Sequence, residues 1–136
     1  MDDRQSYDEG LKVRREVLGD AYVERSLQGR NEFNAEFQEM ITIHAWNGVW
    51  NRPGLDRRTR SLITLSMLIA LNRETEFRLH IRAAQTNGVT RGELKELLLQ
   101  SAIYCGVPAA NGAFHAAQQV FDEMDREAGG EAQGGH

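Results

Sequence analysis

Apolar residues return every three to four positions along almost the whole of this 136-residue chain, and no stretch alternates apolar and polar residues for long. That spacing marks amphipathic helices and is a poor match to half-buried strands. Proline, the residue that would break such a pattern, occurs only at Pro53 and Pro108. The chain therefore reads as all-α, a single-domain bundle of six or seven helices. Its length fits one domain and is enough to bury a core without disulfide or metal staples.

Tyr7, Leu11, Arg14 and Leu18 line one face of a first helix, which Gly19 ends. A short helical piece around Ala21–Leu27 follows, with Asp20 as its N-cap. Phe33, Phe37, Met40, Ile41 and His44 mark the apolar face of the next helix, opened near Asn31. The segment Trp46–Leu55 holds two glycines and a proline and reads as a structured loop. Asp56 caps the helix after it. The stretch Leu62–Leu71 of that helix is apolar almost all round, which predicts a place at the centre of the bundle. A further helix covers about Glu74–Thr86 and stops at Asn87-Gly88. Thr90 and Glu93 have the spacing of a capping box, and behind them Leu94, Leu97, Leu98, Ala102 and Cys105 form one stripe. The last helix begins near Pro108, with Ala110, Phe114, Ala117, Phe121 and Met124 on one side. The domain is expected over 1–128, and the Gly-rich stretch 129–136 is expected to be a flexible tail.

Composition narrows the function. Sixteen Lys and Arg against twenty Asp and Glu give a net charge of −4, which argues against a basic nucleic-acid-binding face. The one cysteine, Cys105, rules out an intrachain disulfide framework, a zinc cluster and a CxxC redox pair; its stripe mates predict a buried, inert thiol. The opening Met-Asp-Asp-Arg-Gln has neither a basic nor an apolar leader region, and no apolar run is long enough to span a bilayer. A cytoplasmic protein without membrane or nucleic-acid partners is the expectation.

Few residues carry chemistry. Glu76 and His80 lie four apart and share a helix face beside the apolar stripe of Phe77, Ile81 and Ala84. A carboxylate there would orient the imidazole and raise its pKa, leaving it able to move a proton near neutral pH. The plainer reading is a surface pair. Arg57, Arg58 and Arg60 crowd the first turn of the central helix, where cations oppose the macrodipole. Either they hold an anion at that helix N-terminus, with Arg60 the preferred ligand, or they pair with acidic residues elsewhere. His44 falls on an apolar helix face, either as a functional group or as a core histidine. Trp46 and Trp50 would wall a pocket or pack between subunits. Asn111 and His115 flank the stripe of the last helix, where structure is the simpler role.

In this order, these residues resemble the carboxymuconolactone decarboxylase family. The matching strings are Phe37-Gln-Glu-Met-Ile-Thr-Ile-His44-Ala-Trp46, Arg52-Pro-Gly-Leu55, Arg60-Ser-Leu-Ile-Thr64 and Met67-Leu-Ile-Ala-Leu-Asn-Arg-Glu74. They continue with Leu79-His80-Ile-Arg-Ala-Ala84, Asn87-Gly-Val-Thr90, Gln100-Ser-Ala-Ile-Tyr-Cys-Gly-Val-Pro-Ala-Ala-Asn111 and Phe114-His115, so the likeness covers roughly residues 3–125. It implies an AhpD-like all-α fold, a ring-like homo-oligomer (a hexamer), active sites walled by more than one subunit, and no cofactor. The implied reaction is decarboxylation of a γ-lactone bearing a carboxylate and an acetate arm. In it Arg58, Arg60, Trp46, Trp50 and His115 would bind substrate, and His80 with Glu76 would deliver a proton. His44 or His115 would serve the oxyanion. A related branch of thiol peroxidase partners carries a CxxC pair seven and four residues before the histidine. Here those positions are Arg73 and Glu76, so that chemistry is not expected. The remaining alternative is a non-catalytic helical module whose oligomer binds a small acidic metabolite or another protein.

Overall fold

The computed structural model describes residues 1–134, and among them there are seven α-helices, one π-helix and no strand. In chain order they are α1 (Asp3–Leu18), α2 (Asp20–Gln28), α3 (Ala35–Ile41), the π-helix (Thr42–Trp50), α4 (Arg57–Ala70), α5 (Glu74–Thr86), α6 (Arg91–Tyr104) and α7 (Val107–Gly134). The fold is all-α.

The helix ends follow local chemistry. Asp2, Asp56 and Thr90 each accept a hydrogen bond from the backbone N–H three residues on, and Gln5 and Glu93 return it in two capping boxes. Gly19 joins α1 directly to α2 at φ 91°, so it caps both, and Asp20 is the first residue of α2 rather than its cap.

Two apolar clusters make the core. The larger joins α4, α5, α6 and α7 through Leu65, Ile81, Leu94, Leu98, Ala117 and Val120. The smaller joins α1, the π-helix and α5 through Val13, Val17, Trp46 and Ala83. Helix α5 serves both. Ala83 lies three residues beyond His80, so the histidine faces the smaller cluster.

Several expectations are corrected by the packing. The predicted loop from Trp46 is π-helical as far as Trp50, and the irregular connection is confined to 51–56. The buried stripe of α1 is Gly10, Val13, Arg14 and Val17, because Gly10 permits backbone contact with Thr42; Leu11 and Leu18 are only partly covered. Phe33, Phe37 and Met40 are 98%, 57% and 51% exposed, so the apolar face expected to be buried there points out of the chain. Helix α4 is not central. Ser61, Leu65 and Ile69 are buried, but Ile63, Met67 and Leu71 face outward. In α7 the contact surface is Ala110, Ala113, Ala116, Ala117 and Val120, small side chains that allow close approach, while Phe114 is exposed. Helix α7 is continuous from Val107 to Gly134; residues 135 and 136 of the expected tail 129–136 lie outside the described residues.

Candidate active site

The smaller cluster carries an aromatic run. Trp46 is buried against Val13 and Val17 of α1 and Ala83 of α5. Its indole lies 5.4 Å from that of Trp50, centroid to centroid, at 31°. Trp50 in turn stacks on the imidazole of His80, at 6.3 Å and 19°. Sequence reasoning placed Trp50 and His80 in separate elements with no link between them. The structure brings them together.

His80 is half-buried, and its Nδ1 is fully buried with no hydrogen-bond partner. With no acceptor for a second proton and little water, the imidazole is pushed down to about 4 by burial, against the smaller opposing pull of the Glu76 charge. The expectation that Glu76 would raise this histidine above its ordinary value is therefore corrected: desolvation wins. Glu76 is exposed and acts on the ring through its charge. The resting imidazole is neutral at pH 7.

The three arginines at the start of α4 separate into two kinds. Arg57 is paired with Glu16 of α1 and Arg58 with Glu93 of α6, as the charge-pairing reading anticipates. Arg60 has no carboxylate partner among the described residues. Its Nη2 donates to the carbonyl oxygen of Arg52 at 3.3 Å, and its Nε is buried and unpartnered. Arg52 lies two residues after Trp50, so Arg60 reaches the end of the π-helix that carries the aromatic run. The start of α4 is also tied to the end of α5, where Asn87 Nδ2 donates to the buried Ser61 hydroxyl at 3.1 Å.

His44 and His115 are exposed, on the π-helix and on α7, and neither joins the aromatic run among the described residues. Of the two readings of His44, the core histidine is not found, because the π-helix turns Thr42 and Trp46 inward instead. Cys105 is half-buried rather than enclosed, at the edge of a 540 Å³ groove between α4 and α6 that Leu62, Ile63, Leu97 and Tyr104 also line. One residue escaped functional reading altogether. Arg14 is 4% exposed and donates to Ser26 Oγ (2.8 Å) and Gln38 Oε1 (3.3 Å), with no carboxylate partner among the described residues. A cation within an otherwise apolar helical stripe was the available signal.

The arrangement offers a neutral imidazole under an indole and, next to the end of the π-helix that carries the indole, a guanidinium with no carboxylate partner among the described residues. Among the described residues no three His, Cys, Asp or Glu side chains are grouped to hold a metal. Such a site can bind an organic anion and move one proton.

Residues 35–119 match the model of the carboxymuconolactone decarboxylase family. The chain is 53% identical to a 4-carboxymuconolactone decarboxylase of Acinetobacter baylyi, over 91% of this chain and 92% of that protein. It is 46% identical to a nitrosuccinic acid decarboxylase of Metarhizium robertsii, over 89% of this chain and 85% of that one. A 4-carboxymuconolactone decarboxylase sequence from Pseudomonas putida is 64% identical over 45 residues, which are 33% of this chain and 94% of that sequence. The matched family segment contains Trp46, Trp50, Arg60, Glu76 and His80, and with them the whole aromatic run. The chain belongs to the carboxymuconolactone decarboxylase family.

Proposed function

We propose that this protein decarboxylates 4-carboxymuconolactone to the enol-lactone of 3-oxoadipate, in the protocatechuate branch of the β-ketoadipate pathway. The observation that carries the reading in the site itself is the half-buried imidazole of His80 stacked under Trp50. The identity of 53% over nine-tenths of the chain supports the choice of substrate.

The substrate is an unsaturated γ-lactone whose γ-carbon bears a carboxylate and an acetate arm. When the bond to the carboxylate breaks, its electron pair flows through the alkene onto the lactone carbonyl and leaves a furan-like dienolate. Protonation at the α-carbon gives the enol-lactone. The lactone is its own electron sink, so the reaction calls for no external one. The protein has three tasks: to bind a dianion, to stabilise charge on the carbonyl oxygen and to deliver one proton. Arg60 is the arginine with no carboxylate partner to leave, with Trp50 as the wall and Trp46 buried behind it; Arg58 would contribute after leaving Glu93. His80 serves the third. Arrival of a dianion raises the proton affinity of an adjacent imidazole, so His80 takes up a proton with the substrate and passes it to the dienolate. His44 or His115 serves the oxyanion.

We also propose that the working form is a ring-like homo-oligomer, a hexamer, with sites walled by more than one subunit. Exposed apolar side chains support it: Phe33 and Phe37 before and within α3, Met67 on α4, and Ile103 and Tyr104 on α6. No described helix is long and apolar enough to cross a membrane; the proposed place of action is the cytoplasm.

The test is incubation with authentic 4-carboxymuconolactone, following loss of the lactone chromophore and release of CO₂. Absence of CO₂ release by a folded, assembled preparation overturns the assignment. The similarity to a nitrosuccinic acid decarboxylase makes 2-nitrosuccinate the second compound to assay. It too has a departing carboxylate, an adjacent electron sink and a CH₂–carboxylate arm. Faster turnover of the nitro compound would reverse the order of the two substrates.

A further inference from the structure

The π-helix is nine residues long. Such wide turns are rare, and locally unfavourable backbone persists only where its surroundings over-determine it. Contacts with α1 supply that constraint. A Cβ on Gly10 would stand 2.1 Å from the carbonyl oxygen of Thr42, so the two backbones touch at the first residue of the π-helix. One turn further along α1, Arg14 reaches Gln38 Oε1 in α3 and Ser26 Oγ in α2. The Thr42 hydroxyl donates back to the Gln38 carbonyl oxygen at 2.7 Å, a bond that bends helices where it occurs. A buried guanidinium held by neutral oxygens, its Nε unpartnered, is an expensive way to join three helices. Its position at the α-to-π junction explains its use. One turn beyond that junction Trp46 is locked against Val13, Val17 and Ala83, and the next turn presents Trp50 to His80.

We propose that Gly10, Arg14 and Thr42 are positioning residues, which fix where the π-helix begins against α1 and so hold Trp50 over the His80 ring. None of them needs to touch substrate. The proposal rests on the reading of His80 as proton donor only for its consequence in turnover. The ring geometry can be read without it.

The experiment compares Gly10→Ala, Thr42→Val and Thr42→Ser with a control, Val120→Ala, which opens a cavity in the other cluster. Four properties are read in each: melting temperature, the circular-dichroism couplet of the Trp46–Trp50 pair, the His80 titration by NMR, and kcat with KM. Gly10→Ala and Thr42→Val are expected to lose about half or more of the couplet and to move His80 toward its ordinary 6.5. They are expected to lower kcat about tenfold or more, with KM changed much less. Thr42→Ser keeps the hydroxyl and should restore all of these, and Val120→Ala should lower only the melting temperature. If Gly10→Ala does not fold, the Thr42→Val and Thr42→Ser pair decides alone. An unchanged couplet and His80 titration in folded Thr42→Val overturn the proposal. If both move while kcat holds, the positioning stands and the role of His80 as donor falls.

Discussion

Trp50 lies over His80 with the two ring planes only 19° apart, on an imidazole that burial keeps neutral at rest. Removing the indole in Trp50→Ala should admit water and move the His80 titration from about 4 toward 6.5. NMR titration of the histidine measures this directly, and an unmoved value would mean that the backbone, not the indole, supplies the burial. Removing the imidazole in His80→Ala should lower kcat by about 10²–10⁴-fold, the share of a positioned acid–base group. Near-normal turnover in a folded His80→Ala protein removes His80 from the chemistry. Glu76→Gln should be milder and push the His80 titration lower still, since the Glu76 charge is what opposes burial.

The same histidine makes stability depend on pH. Folding pushes it down from 6.5 to about 4, so between those values the unfolded chain binds a proton that the folded chain refuses. This contribution is fully present above about pH 6.5 and is lost as pH falls toward about 4. At roughly 1.4 kcal/mol per unit, it amounts to at most about 3–4 kcal/mol. Urea unfolding across that window should show a clear loss in the wild type and a smaller one in His80→Gln. Parallel slopes in the two proteins would place the effect elsewhere. The hydrogen-bonded carboxylates of Asp56, Asp125 and Glu127, held below their ordinary range, act mainly at still lower pH.

Most of the helices were legible because their signals are local. The caps at Asp56 and Thr90 are one-turn interactions, and both are as the sequence implies. The faces were harder to read. Periodicity says that Phe33, Phe37 and Met40 share a side, but not whether that side meets this chain or a surface beyond it. The π-helix was hidden for another reason. Its first residue packs on α1 through a tertiary contact between Gly10 and Thr42, thirty-two residues apart. Without that contact Asn47-Gly48 and Pro53-Gly54 point to a loop. Spacing alone places Glu76 and His80 on one helix face, but not the sign of the shift on His80. Spacing reports the carboxylate but not the desolvation that burial in the folded chain brings.

Cys105 should be dispensable. It lies half-buried beside Leu62 and Leu97 and packs against the larger cluster, away from the aromatic run. Cys105→Ser should keep kcat and KM near wild type and lose about 1 kcal/mol of stability by placing a hydroxyl against apolar neighbours. Stoichiometric inactivation by a thiol reagent, prevented by substrate, would contradict this.

The arginines at the start of α4 give the sharpest contrast, because the structure ranks residues that the sequence left alike. Arg57 and Arg58 are committed to Glu16 and Glu93, while Arg60 is tied only to the carbonyl of Arg52 and keeps a buried, unpartnered Nε. A dianion arriving at the end of the π-helix would meet one guanidinium free to turn to it, and two that must first leave a carboxylate. Arg60→Ala should therefore raise KM and lower kcat/KM by on the order of 2–4 kcal/mol, as for a partly desolvated charge pair. Part of the loss should fall on kcat, because holding the acetate arm orients the bond that breaks. Arg58→Ala should cost less in kcat/KM, and Arg57→Ala should show its main effect as a small loss of stability. Added salt should weaken substrate capture by the wild type and weaken it less in Arg60→Ala. The measurement is kcat/KM for the three variants at low and high ionic strength, with light scattering to confirm that assembly is unchanged. Equal losses for Arg58→Ala and Arg60→Ala would mean that the Arg58–Glu93 pair opens readily. A wild-type KM in assembled Arg60→Ala would remove the anion site from the start of α4 and leave the cluster a structural charge network.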